Sequence, residues 1–232
     1  GSIAIGKLFH YFFGMNQTLA MLLALGIVTL YSTLGGIKAV AITDVFQFLI
    51  FYIALPIACS MGYLNIGGYH TIINSLPSSH LTIDGDNIML FLGMAGFALM
   101  PNADIPFMQR ALISSNTSQL RSTFNAVAVL MFPLFFIVAL IGLITYIYNP
   151  NIDPDTALYF FIQNYLPSGV IGLMIAGILA IVMSTQDSFL NTTSTLIARD
   201  ICKQIWPDIN DRTELMIARF ACVAIAIMSI SI

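Results

Sequence analysis

A run of polar side chains inside an otherwise apolar segment is the part of this sequence best suited to chemistry. The segment covers residues 168–204. At 100° per residue, its polar side chains fall on one side of a helix: Ser184, Asp187, Ser188, Asn191, Thr192 and Thr195. Hydroxyls and a carboxylate are costly inside a bilayer unless they face protein, water or an ion. The stripe therefore predicts the lining of a transport pathway.

The tightest group on this stripe is formed by Ile181, Ser184, Thr185 and Ser188. A carbonyl at position i and hydroxyls at i+3 and i+4 approach each other on a helix, so they offer neutral oxygen ligands. A small hard cation such as a sodium ion wants several oxygens, and neutral ligands allow reversible binding. We therefore predict sodium at Ile181, Ser184 and Thr185. The alternative is that the hydroxyls bond back to carbonyls of the preceding turn.

Two acidic residues extend this predicted cation-binding region. Asp187 lies in the stripe, where it can attract a cation, take up a proton, or be solvated in a wet vestibule. Asp44 stands at the start of another apolar stretch and is followed by Gln47. Asp-x-x-Gln resembles a helix capping box, and an acid is favoured at a helix N-terminus. A capping role and a role in the ion path both remain open for Asp44.

A second polar group interrupts the apolar stretch 87–114 at Pro101-Asn-Ala-Asp-Ile-Pro. Its prolines leave backbone groups unpaired, and broken helices of this kind occur in membranes where they line a cavity or a transporter's binding site. Asn102 and Asp104 are therefore predicted to bind the solute, and Asp104 would pair with a cationic group on the solute or with a protein partner. The alternative is the cytoplasmic end of a helix, because Arg110 follows.

The composition restricts the elements that can position these residues. Of 232 residues, 58% are hydrophobic and 8% charged, against roughly a quarter charged in soluble domains. The apolar runs have helix length without β-barrel alternation, so we expect an all-α polytopic membrane protein. A net charge of −3 with eight Lys and Arg leaves no basic patch for nucleic acid. Without a catalytic triad, metal cluster or phosphate loop, a transporter is indicated rather than an enzyme.

The apolar stretches predict the topology. After a short stub, the predicted spans cover residues 17–34, 43–64, 87–114 (broken), 122–148, 168–204 and 214 onward. Gly35-Gly36 ends the first span, and tyrosines near span ends, Tyr31 among them, fit an aromatic belt. Basic residues are concentrated in alternate loops, which places those loops in the cytoplasm. We expect residues 1–232 to be one transmembrane domain, a fragment of a longer multi-pass transporter of the plasma (inner) membrane.

Three motifs resemble those of the sodium/solute symporters. Tyr31-Ser-Thr-Leu-Gly-Gly-Ile-Lys-Ala-Val followed by Thr43-Asp-Val-Phe-Gln resembles the family's Gly-Gly…Thr-Asp-x-x-Gln segment. Met183-Ser-Thr-Gln-Asp-Ser-Phe-Leu-Asn-Thr-Thr-Ser-Thr, leading into Arg199-Asp-Ile, resembles another, and Gln109-Arg matches a further short signature. The spacing of the three motifs holds over nearly the whole chain.

The resemblance implies the leucine-transporter-type core of ten helices in two inverted repeats. This chain would supply about core helices three to nine and lack the first. In the family, paired hydroxyls on core helix eight and a carbonyl three residues earlier ligate sodium, and these match Ser184, Thr185 and Ile181. The acid after the Gly-Gly loop matches Asp44, which in some members serves the ion exit path or a second sodium site. Ser188 matches one position of that second site.

The resemblance also implies a function, with two points left open. Asp187 stands where some members carry a serine, which puts the second sodium site in doubt. Sugar-binding members have Asn and Tyr where Phe97 and Met100 stand, which argues against sugar recognition copied from them. The implied protein is a sodium-coupled symporter that imports a small polar organic solute by alternating access. Its partners are the solute, the lipid bilayer and the remainder of the full-length chain. The alternatives are proton coupling and a symporter-like sensory module of a signalling protein.

Overall fold

A computed structural model of the chain describes residues 2–78, 85–99 and 104–229. The helices in these ranges are α1 (Ser2–Phe13), α2 (Gln17–Asn65), α3 (Gly68–Ser75), α4 (Gly85–Leu99), α5 (Ile105–Ile113), α6 (Thr117–Tyr148), α7 (Ala157–Tyr165), α8 (Ser168–Leu196), the π-helix Ile197–Cys202, α9 (Lys203–Ile205) and α10 (Asp211–Met228). All regular structure in the described ranges is helical, which confirms the predicted class. By length and composition, α2, α6 and the continuous segment from α8 through α9 are able to cross a membrane.

Two connections between these helices bear on the predicted topology. Of the interruption predicted at Pro101 to Pro106, residues 101–103 lie outside the described residues, and α5 begins at Ile105, directly after Asp104. Pro106 is in the first turn of α5, where a missing N–H costs no helical hydrogen bond. The segment between the predicted spans 43–64 and 87–114 contains α3, which the sequence analysis does not predict. Ile72 and Leu76, four residues apart, are both buried in this segment, and this short apolar face stabilises a helix that composition alone did not reveal.

Gly36 divides α2 into two helical arms, the first arm before it and the second arm after it. Its backbone has φ 58 and ψ −159, a region essentially restricted to glycine. Tyr31 and Asp44 would be about 20 Å apart along a straight helix, yet they contact Asp187 and Ser184 respectively, one turn apart on α8. The chain therefore bends sharply at Gly36, and the predicted end of the first span there is confirmed.

The first of two compact units comprises residues 1–54 and 172–232. Its apolar core joins the first arm of α2 to α8 and α10 through Leu25, Val28, Leu190, Cys222 and Ala226. On the second arm, Phe51 and Ala54 approach Gly177 of α8 so closely that an added Cβ would lie 3.4 Å from the Ala54 Cβ. Helix α8 thus packs against both arms, and this packing determines which side chains face its polar stripe.

The second unit comprises residues 55–171. Phe161 of α7 is fully buried, and its ring lies against Gly62 near the end of α2. Tyr165 stacks on Tyr148 of α6 with ring centroids 3.8 Å apart, and its carbonyl accepts a hydrogen bond from Asn65 Nδ2 at 2.9 Å. These contacts attach α7 to both longer helices of this unit.

Gly62→Ala is expected to destabilise the second unit. A Cβ at this position would lie 2.4 Å from Cζ and 2.5 Å from Cε2 of Phe161, whose buried ring cannot move without disturbing its neighbours. Overpacking of this kind costs about 1–3 kcal/mol. Thermal unfolding of the full-length protein in detergent should show a lower Tm. Gly142→Ala on α6 is the control, because a Cβ there meets nothing within 4 Å. Equal Tm values for the two variants would contradict the packing argument.

Candidate cation site

The polar stripe of α8 is enclosed within the first unit. Asp187 is 0% exposed, and the stripe residues Ser188, Asn191 and Thr192 are at most 9% exposed. Protein is one of the environments in which polar groups are tolerated at membrane depth. Thr195 Oγ1 donates a hydrogen bond to the Asn191 carbonyl at 2.8 Å. That end of the stripe is therefore satisfied within its own helix, and the chemically available groups lie around residues 184–188.

Asp187 is surrounded by hydroxyl groups. Tyr31 donates its phenolic O–H to Asp187 Oδ2 at 2.5 Å, and Ser188 Oγ lies 3.4 Å from Oδ1. The side-chain amide of Gln47, on the second arm of α2, lies near the same Tyr31 hydroxyl. Within the described part of the chain, no Lys or Arg pairs with Asp187. The polar contacts of this carboxyl group are therefore neutral donors. A bound cation would balance its negative charge.

Asp44 lies on the second arm, opposite the same turn of α8. Ser184 Oγ donates a hydrogen bond to Asp44 Oδ1, and the negative charge of Asp44 also acts on Asp187. Helical backbone resumes directly after Gly36, so Asp44 is about two turns inside a helix and does not cap one. The capping alternative is therefore wrong. Two carboxyl groups and two serine hydroxyls meet at one turn of α8, a collection of hard oxygens that suits a hard cation.

The Thr185 hydroxyl bonds back to the preceding turn of its own helix, which is the alternative given in the sequence analysis. Its Oγ1 donates a hydrogen bond to the Ile181 carbonyl at 3.0 Å, and both residues are exposed. A hydroxyl oxygen keeps lone pairs after donating, and a carbonyl oxygen has two, so both atoms can still ligate a cation. Sodium ligation at Ile181, Ser184 and Thr185 stays a prediction. The described residues contain no group of three or more His, Cys, Asp and Glu side chains that could hold a metal ion.

The residues predicted to bind the solute belong to the second unit. Asp104 directly precedes α5, and its carboxylate makes no capping hydrogen bond to that helix. Asn102 and Met100 lie outside the described residues, as does the side chain of Phe97. The assignment of Asn102 and Asp104 to solute binding stays a prediction.

Tyr31 and Gln47 are site residues that sequence reasoning missed. The aromatic belt expected for Tyr31 is wrong, since its hydroxyl bonds to the buried Asp187 inside the first unit. A signal was present in the sequence. Tyr31 lies five residues before Gly36 and Asp44 eight after it, so a bend at the Gly-Gly pair brings both side chains to a similar level. Gln47 follows Asp44 by three residues and shares its helix face.

This chain is similar to known proteins along its whole length. A model of the sodium:solute symporter family matches residues 1–232. A sodium/proline symporter of Staphylococcus aureus (strain USA300) is 30% identical over 248 residues, 100% of this chain and 48% of the relative. Sodium/proline symporter 2 of Staphylococcus saprophyticus is 29% identical over 246 residues, 99% of this chain and 47% of the relative. The chain thus spans about half the length of the curated relatives it matches.

A solved structure shows the same fold. It is a Na+-coupled sialic acid symporter in a substrate-bound outward-open state, 22% identical in sequence. It matches this chain with a TM-score of 0.78 over 99% of this chain and 53% of the other. With the family match over the whole sequence, the chain belongs to the sodium:solute symporter family of integral membrane transporters.

Proposed function

We propose that this chain binds the coupled sodium ion of a symporter, and that the whole protein imports a small polar organic solute by alternating access. The observation that carries the proposal is the hydrogen bond from Ser184 to Asp44, two predicted cation-binding residues 140 positions apart in sequence. Sodium-coupled relatives point to the same ion. We further infer that residues 1–232 form one transmembrane domain with the remainder of the full-length chain, which supplies the first core helix.

The geometry supports a simple role for the cation. Sodium would take oxygen ligands from Ile181, Ser184 and Thr185, while Asp44 supplies negative charge beside Ser184. A ligand shifts a conformational equilibrium only by its difference in affinity between the two states. In this proposal sodium favours the outward-open state, because it ties α8 to the first core helix. Release of sodium inward, past Asp44 and Asp187, loosens that contact.

The solute class follows from the relatives and from Asp104. The relatives are named for proline and sialic acid, and both of these compounds carry a carboxylate. An amino acid also carries an ammonium group, the kind of cationic partner that Asp104 would accept. We therefore propose amino acids, with L-proline first, as the solutes to test.

Replacing Ser184 and Thr185 together by alanine is expected to raise the sodium concentration for half-maximal uptake. If each oxygen ligand contributes about 1 kcal/mol, the increase is roughly thirtyfold. The measurement is uptake of radiolabelled L-proline, then of a panel of amino acids, by the full-length protein in proteoliposomes at constant ionic strength. The maximal rate should fall less than the sodium affinity.

The control is the double variant Ser194→Ala and Thr195→Ala. These residues are also a Ser–Thr pair on α8, but both hydroxyls donate to the Asn191 carbonyl of their own helix. Its sodium dependence should match that of the unmodified protein. An unchanged sodium requirement in the Ser184 and Thr185 variant would falsify the assignment. Uptake that persists in sodium-free buffer and changes over a pH series would identify a proton-coupled transporter.

A further inference from the structure

We propose that Tyr31 is a positioning residue for the coupled cation, because its hydroxyl holds the carboxyl group of Asp187 beside Asp44. The inference rests on the proposed sodium coupling and deepens it. Tyr31 is not itself a cation ligand in this account. It acts through Asp187, whose place and charge determine how strongly the site attracts a cation.

The two oxygens of Asp187 are held differently. Oδ2 accepts the Tyr31 hydroxyl at 2.5 Å, the short end of the range for O–H···O bonds. Oδ1 lies 3.4 Å from Ser188 Oγ, beyond that range. Tyr31 thus restrains one oxygen firmly, and the other is the oxygen nearest to Ser188, a predicted cation ligand. A cation can approach the second oxygen without breaking the bond to Tyr31.

The Tyr31 hydroxyl is itself held in place. The residue packs against the apolar core of the first unit, which includes Val28 on its own helix and Leu190 on α8. From the second arm, the side-chain amide of Gln47 lies near the same phenolic hydroxyl. The phenol therefore joins the first arm to α8 by a hydrogen bond and lies beside the second arm. Because its ring is packed in this core, Tyr31 can fix the carboxyl group of Asp187.

Without this hydrogen bond, the position of Asp187 would change. Asp44 is a like charge acting on Asp187, and repulsion favours side-chain positions farther from it. Hydrogen bonds to a charged group are among the stronger ones in proteins, so their loss removes a substantial restraint. The oxygen atoms would then be less well arranged for a cation. The expected consequence is weaker sodium binding, separate from any general loss of stability.

Tyr31→Phe in the full-length protein tests the inference, since it removes one hydroxyl and keeps the ring. The protein in detergent is titrated with sodium chloride against choline chloride at constant ionic strength, and Tm is recorded. The sodium concentration for half-maximal stabilisation should rise about tenfold, the change expected when a single charge-assisted hydrogen bond is lost. Tm without sodium reports the purely structural contribution separately. A merely structural role would lower that value and leave the half-maximal sodium concentration unchanged.

Tyr52→Phe is the matched control. It is the same substitution on the same helix, and the Tyr52 ring packs against Phe48 with centroids 5.2 Å apart, a contact that phenylalanine keeps. Its half-maximal sodium concentration should not change. If the unmodified protein shows no sodium-dependent stabilisation, the proposed function fails and this inference with it. If sodium stabilises the unmodified protein and the Tyr31→Phe protein with equal half-maximal concentrations, only the role of Tyr31 is overturned.

Asp187→Asn tests whether Tyr31 acts through Asp187. The amide oxygen still accepts the Tyr31 hydroxyl, but the charge is gone, so the half-maximal sodium concentration should rise. Adding Tyr31→Phe to that variant should produce no further rise, whereas fully additive effects would overturn the inference. Should the Tyr31→Phe protein fail to fold, the Asp187→Asn protein shows whether the charge of the carboxyl group that Tyr31 holds acts on the cation. An unchanged sodium dependence in that variant would overturn the inference as well.

Discussion

Gly36→Ala is expected to reduce sharply the amount of folded full-length protein in the membrane and to abolish most sodium-dependent uptake. The backbone of Gly36 has φ 58 and ψ −159, and a side chain in this region costs on the order of 1–3 kcal/mol. The variant can relieve this strain by adopting helical backbone at position 36, and α2 then becomes straight. Tyr31 and Asp44 then cannot both reach α8, so one change breaks two contacts of the cation site. Membrane yield, Tm and sodium-dependent uptake measure the effect.

The cause is conformational rather than steric, and this can be tested separately. An added Cβ at Gly36 meets nothing within 4 Å. Asparagine tolerates the left-handed helical region, but that region has positive ψ, so Gly36→Asn should fail as Gly36→Ala does. Gly26→Ala on the first arm is the control, since Gly26 is helical and a Cβ there also meets open space. Normal Tm and uptake in Gly36→Ala would show that α2 does not need this bend.

Asp44→Asn is expected to raise the sodium concentration for half-maximal uptake by about thirtyfold. Asparagine can still accept the hydrogen bond from Ser184, so the change removes charge and little else. Two opposite unit charges 4 Å apart attract by about 4 kcal/mol at an effective dielectric constant of 20, and half of that, about 2 kcal/mol, corresponds to roughly thirtyfold in affinity. Sodium-dependent uptake in proteoliposomes and sodium-dependent Tm shifts should report the same change.

The matched control for this prediction is Asp200→Asn. Asp200 is an exposed residue in the π-helix that follows α8, and the substitution removes the same charge. Screening by water and salt should make its effect on sodium affinity small. If Asp44→Asn and Asp200→Asn lower the apparent sodium affinity equally, the charge of Asp44 has no special role. In that case the cation depends on neutral oxygens alone.

Much of the fold was predictable because its signals are local. Apolar runs of helix length indicate membrane helices, and the pair Gly35-Gly36 marks the point where helical backbone is interrupted in α2. Short motifs around Asp44 and Ser184 were sufficient to indicate the family and a transporter rather than an enzyme, as the family match confirms. The helix α3 was missed because a segment of eight residues contains too few apolar positions to show a period.

The arrangement of the site was less predictable. Helical periodicity placed Ser184, Asp187 and Ser188 on one face, but it does not say what that face meets. The alternative for Thr185, a bond to its own helix, could be decided only from coordinates. For Asp44, the pattern Asp-x-x-Gln is compatible both with a helix cap and with a position in the ion path. The bend at Gly36 decides against the cap, because it leaves Asp44 inside a helix.

By itself, the sequence determined that this is an all-α membrane protein of the sodium:solute symporter family with a polar stripe on its long helix. These properties depend on composition, periodicity and short motifs, which act over a few residues. Only the tertiary structure decided that Ser184 bonds to Asp44 and Tyr31 to Asp187, across 140 and 156 positions of sequence. Such pairs depend on the direction α2 takes at Gly36 and on the packing of α8 against both arms. The Gly-Gly pair marks where α2 can bend, but the direction of the bend and the packing of α8 result from many weak contacts between distant parts of the chain.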